Sequence, residues 1–225
     1  MSTAIPGKRA TRRLAPVMAV VLVLFAVAAL WPPLGEASRH AGLPVFAAAA
    51  LAPFAVLFAA VAAAARAEGI RFTAAVAFSW FRAGRQLLTA LGLLAVSLAF
   101  TLALAALGFH MFGEGQAQPA LFLYTALRSF LLVGFGEELI WRGYVLGSLR
   151  RHLHSNAAAV ALSSALFGLW HYPGGQDVLQ VGVTMLLGAL WGTARVRIRQ
   201  CSTLATGTAH GLHDLALLIF ATLTA

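Results

Sequence analysis

Seven stretches of this chain are longer and more apolar than the helices of a soluble core. They run from Ala15 to Trp31, Gly42 to Ala65, Gln86 to Phe109, Ala120 to about Arg150, Asn156 to His171, Val178 to Val196 and Ser202 to Leu223. A hydrocarbon layer of about 30 Å needs roughly 20 apolar residues as helix. Within that layer only helices and closed barrels satisfy every backbone polar group. The stretches therefore predict an all-α fold, a polytopic integral membrane bundle of about seven transmembrane helices. Composition agrees, since 60% of the 225 residues are hydrophobic and 10% charged, far from a soluble domain of this length. No internal repeat or low-complexity linker interrupts the chain, so residues 1–225 read as a single integral membrane domain.

Basic residues set the expected orientation. Lys8, Arg9, Arg12 and Arg13 precede the first stretch, Arg66, Arg71, Arg82 and Arg85 follow the second, Arg150 and Arg151 the fourth, and Arg195, Arg197 and Arg199 the sixth. Arg39 alone breaks the alternation. The positive-inside rule then puts the N-terminus in the cytoplasm and, with an odd number of spans, the C-terminus outside the cell membrane. The net charge of +9 lies in short loops at one face, where attraction to the anionic lipid bilayer accounts for it and nucleic acid is not an expected partner. The first stretch is longer than a signal-peptide core and is expected to stay as an anchor. Between Arg66 and Arg85, Phe72, Phe78, Trp80 and Phe81 alternate with arginines, a pattern open to an interfacial amphipathic helix or an ordinary loop. The single cysteine, Cys201, excludes an intramolecular disulfide and a thiolate metal cluster.

Against this apolar background stand Glu137, Glu138 and Arg142 in one stretch, His171 in the next, and His210 with Asp214 in the last. Ionisable groups inside a membrane cost several kcal/mol and mark functional sites. Their depths agree. At 1.5 Å per residue Glu137 lies roughly 20 Å from Arg150, His171 roughly 22 Å from Asn156, and His210 and Asp214 roughly 16 and 22 Å from Arg199. This depth makes Arg142 an intramembrane residue, and Glu138, four residues earlier on the same α-helical face, is its expected partner in a structural ion pair. Glu137 is turned by about 100° onto another face, which makes it the candidate general base. A packing network in which both glutamates share Arg142 is the alternative. Tyr172-Pro173-Gly174-Gly175 should stop the fifth stretch inside the bilayer, where irregular backbone needs protein or a water-filled cavity beside it.

Glu137-Glu138-Leu139-Ile140-Trp141-Arg142, Phe167-Gly168-Leu169-Trp170-His171 and His210-Gly211-Leu212-His213-Asp214 match, in order, the EExxxR, FxxxH and HxxxN/D motifs of the CAAX protease and bacteriocin-processing family. The chain resembles these intramembrane endopeptidases from about residue 120 onward, so residues 120–225 would be the catalytic core. The resemblance implies that Glu137 and His171 activate a water and that His210 and Asp214 line the oxyanion site, with Glu138 and Arg142 structural. His213, beside Asp214, leaves the choice of histidine open. It further implies a membrane-associated protein or peptide as substrate. Farnesylated tails are not expected, because one Lys against fifteen Arg and many alanines suggest a bacterial inner-membrane protein from a GC-rich genome. No cofactor is expected; a His₂Glu zinc site is the alternative, but the HExxH helix of soluble zinc proteases is absent. Two other functions fit the same residues: a proton-coupled transporter, and a non-proteolytic immunity or partner-binding membrane protein on the same scaffold.

Overall fold

The computed structural model describes residues 6–39, 43–109 and 119–224. Gly42, the expected start of the second stretch, falls outside these residues, as do the side chains of Lys8, Arg9, Arg12, Arg13 and Arg39. Among the described residues every regular element is helical. In order they are α1 (Pro6–Arg39), α2 (Leu43–Ala67), the single turn α3 (Phe72–Ala75), α4 (Ala83–Ala106), α5 (Pro119–Leu127), α6 (Leu146–Leu153), α7 (Asn156–Gly175), α8 (Val178–Arg197) and α9 (Thr203–Thr224). Two π-helical segments, Arg128–Gly136 and Leu139–Val145, lie between α5 and α6.

Four helices are long and apolar enough to cross a membrane, through Leu14–Trp31, Ala48–Ala67, Ala83–Ala106 and Val178–Arg197. They are α1, α2, α4 and α8. The other three expected spans hold the three motifs, and there Glu, Arg, His, Asp and Ser replace apolar residues. Large apolar side chains such as Leu22, Leu88, Leu91 and Leu102 point outward, while Gln86, Ser97, Thr101, Glu137, Glu138, Arg142 and His210 are buried. Polar residues gather inside and apolar ones outside, as a hydrocarbon solvent requires.

The structure departs from the sequence reading in two places. The stretch from Ala120 to Arg150 is not uniform α-helix: the π segments close i→i+5 turns, a form found mostly at functional sites. Only Glu137 and Glu138 lie between them, with Glu137 at φ −65° and ψ −42°. The wider turn advances each side chain by less than the 100° of an α-helix. Second, α7 passes Pro173 and ends at Gly175. Proline removes one ladder bond, and the N–H of Gln176, at φ +52°, closes the last turn on the Tyr172 carbonyl at 2.7 Å. Of the two forms left open for the arginine- and aromatic-rich segment after α2, the structure has the loop, with one helical turn, α3, in it.

The described residues form two compact units. One comprises residues 1–77 and 140–192: α1 packs against α2, α6 and α7, and α6 packs against α7. The other comprises residues 78–139 and 193–225: α9 lies against both Arg128–Gly136 and α4.

Candidate active site

In the second unit the site starts from a backbone contact. A Cβ placed on Gly134 would fall 2.4 Å from the Cα of Gly211, so the π segment and α9 cross at a distance only two glycines permit. Glu138 follows one glycine by four residues and His210 directly precedes the other. The crossing brings them face to face, with Glu138 Oε1 3.3 Å from His210 Nδ1. His210 Nε2 stands 3.5 Å from Asp214 Oδ2, one turn along α9, where residues four apart share a face. The other carboxylate oxygen of Asp214, Oδ1, is 3.4 Å from His213 Nδ1, and His213 Nε2 is 3.0 Å from the Thr101 hydroxyl of α4.

These side chains form one row, Glu138, His210, Asp214, His213, Thr101. Glu138, His210, His213 and Thr101 are buried, and Glu137 with them. Asp214, at the middle of the row, is its open member, its side chain 25% exposed. Glu137 is within coulombic reach of His210. Such a row can hold a polar reactant and present N–H donors to developing negative charge. Among the described residues no three His, Cys, Asp or Glu side chains are grouped to hold a metal ion. Cys201, in the turn before α9, is buried; burial pushes its thiol up to about 11, so it stays protonated and is no nucleophile.

The first unit places the other two motif residues around Phe167. The Arg142 guanidinium lies over the Phe167 ring at 4.0 Å and the Trp191 ring at 5.3 Å, a buried cation on aromatic faces. His171 Nδ1 is 2.8 Å from the Phe167 carbonyl one turn earlier, and the imidazole stands edge-on to Phe167 and Trp170 at 4.7 and 5.1 Å. A carbonyl only accepts, so Nδ1 carries a hydrogen. Trp170 Nε1 donates to the Leu24 carbonyl at 2.8 Å, fixing α7 to α1. The phenylalanine of the second motif thus covers the arginine of the first and orients the histidine of its own.

Sequence reading missed Thr101 and the destination of His213. A signal existed: Gln86, Ser97 and Thr101 share the buried face of α4 with Ala90 and Leu93, a polar stripe at helical spacing on an otherwise apolar span.

The model of the type II CAAX prenyl endopeptidase Rce1-like family matches residues 118–216, which contain all three motifs. Neither the curated proteins nor the solved structures yield a match.

Proposed function

For a chain whose residues 118–216 match the model of the type II CAAX prenyl endopeptidase Rce1-like family, we propose the following reaction. A peptide bond in a membrane-associated protein or peptide is hydrolysed by a glutamate-activated water. Glu137 takes a proton from water oriented by His171, and the resulting hydroxide adds to the scissile carbonyl carbon. His210 and Asp214 line the oxyanion site: the His210 N–H that faces Asp214 Oδ2 at the long distance of 3.5 Å turns to the oxyanion as it forms. The proton on Glu137 then passes to the leaving amine as the C–N bond breaks. The role of His171 rests on the motif resemblance. That of the others is supported by one observation above all, the buried row of Glu138, His210 and Asp214 within reach of Glu137.

General-base action is worth roughly 10² to 10⁴ in rate and one oxyanion donor roughly 10² to 10³, so both are needed for useful turnover. The catalytic core is residues 120–225, no step is routed through a metal, and the N-terminus is cytoplasmic. The test is incubation of the purified full chain with a panel of membrane-anchored peptides, read by mass spectrometry. Wild type cleaves at least one peptide, Glu137→Gln loses at least roughly 10² in kcat while staying folded in detergent, and a chelator leaves the rate unchanged. Retained turnover in Glu137→Gln sinks the assignment of the base; loss of activity on chelation sinks the metal-free mechanism.

A further inference from the structure

The far end of the buried row lies outside the matched residues 118–216. Thr101 belongs to α4, is 1% exposed, and meets His213 Nε2 at 3.0 Å across 112 residues of sequence. We propose that Thr101 and His213 are positioning residues for the Asp214 and His210 pair, Thr101 fixing the His213 ring and His213 fixing the carboxylate that orients His210. This rests on the proteolytic reading above for its consequence in turnover, though not for its geometry.

The inference follows from what neighbouring residues on a helix ordinarily do. Side chains at i and i+1 diverge and do not face each other, yet the His213 ring nitrogen is 3.4 Å from the carboxylate of Asp214. Something off the helix must hold the ring in that pose, and the contact from α4 does so. Thr101 suits the task because β-branching leaves its χ1 few rotamers in a helix, so its hydroxyl has few positions to take once α4 is fixed. α4 is itself fixed to α9 at a second depth. Gln86, also buried, accepts from both the N–H and the hydroxyl of Ser202 and donates to the carbonyls of Ser79 and Phe81, each at 2.8 Å.

Proton direction along the row follows from its acceptors. An ionised Asp214 only accepts, so His213 Nδ1 carries the hydrogen towards it, Nε2 is then an acceptor, and the Thr101 hydroxyl donates. With Oδ1 so held, Oδ2 is left facing His210 Nε2 at 3.5 Å, and His210 turns its Nδ1 to Glu138. Replacing the hydroxyl by a methyl removes the contact that holds the His213 ring from α4, so its Nδ1–H can turn away from Asp214 and the carboxylate is freed to rotate. A second-sphere partner acting through a functional histidine typically changes activity by about 10- to 100-fold.

The test compares Thr101→Val, close in shape but without the hydroxyl, with Thr101→Ser, which restores it. In the full chain in detergent, ¹⁵N-histidine spectra, assigned with His213→Asn and His210→Asn, should show the Nδ1–H form of His213 in wild type and Thr101→Ser. In Thr101→Val the His213 pattern should change and the His210 signals move with it, at an unchanged melting temperature. On a peptide that wild type cleaves, Thr101→Val should lower kcat about tenfold with KM within about twofold, and Thr101→Ser should recover it. His210 signals indifferent to Thr101→Val, or Ser and Val variants equally impaired, would overturn the proposal. If wild type cleaves no peptide, the proteolytic reading fails, and the spectra still decide the positioning role.

Discussion

At Glu138, burial and charge make opposite demands. The carboxylate is fully removed from solvent, and ionised it is stable there only beside donors such as the His210 ring at 3.3 Å. Arg142 presents the same conflict with the opposite sign and is covered by the Phe167 and Trp191 rings. Removing one member of a buried charged network costs about 3 to 5 kcal/mol, because the charge left behind stays desolvated. Glu138→Ala and Arg142→Ala should therefore lower the melting temperature well below that of Glu137→Gln, which keeps a hydrogen-bonding side chain of the same shape. Equal melting temperatures across the three variants would contradict a structural role for Glu138 and Arg142.

Elements meet where backbones are allowed to meet. Because a Cβ on Gly134 would sit 2.4 Å from Gly211 Cα, Gly134→Ala must push the π segment off α9 and separate Glu138 from His210. Overpacking of this kind costs about 1 to 3 kcal/mol, and activity should fall with it. Gly92→Ala on α4, where nothing lies within 4 Å, should do neither; a neutral Gly134→Ala would show that the crossing is not what sets the site. A second junction lies just beyond α2. Burial raises the carboxyl of Glu68, but hydrogen bonds from Tyr144 at 2.7 Å, Arg151 at 2.6 Å and Ser148 at 2.9 Å more than offset this and hold it below its ordinary value of 4.5. A depressed folded value means that the stabilisation is complete above the ordinary value and is lost as pH falls through the folded one. In thermal melts, the advantage of wild type over Glu68→Gln should thus hold near neutral pH and shrink below about pH 4.5. A gap independent of pH would show that the carboxylate contributes nothing by its charge.

For the molecule as a whole, the question is which helices cross the bilayer. Among the described residues four are long and apolar enough to do so, and the three motif-bearing stretches carry polar residues that lower their apolarity. Side chains such as Leu88, 70% exposed, and Leu22, 68% exposed, are unfavourable in water and favourable against lipid. Seven spans leave the two termini on opposite sides and four leave them on the same side. With the basic loops inside, reporter fusions should place the N-terminus in the cytoplasm and the C-terminus outside. A cytoplasmic C-terminal reporter would mean that an odd number of the motif-bearing stretches fails to cross.

The helical membrane class and the three motifs were settled by local pattern. The length of an apolar run measures a bilayer directly, and residues four apart on an α-helix share a face whatever surrounds them; His210 and Asp214 were placed together on that ground, and Phe167 with His171. The family match over residues 118–216 spans all three motifs. Local pattern did not reach the partners. Glu138 meets His210 across 72 residues and His213 meets Thr101 across 112, distances at which spacing along one helix says nothing. Those pairings were decided by where two glycines let α9 cross Arg128–Gly136 and by which face α4 turns to α9. The π turns at Arg128–Gly136 and Leu139–Val145, too, belong to the tertiary structure: an apolar run marks a helix without telling an i→i+5 turn from an i→i+4 one.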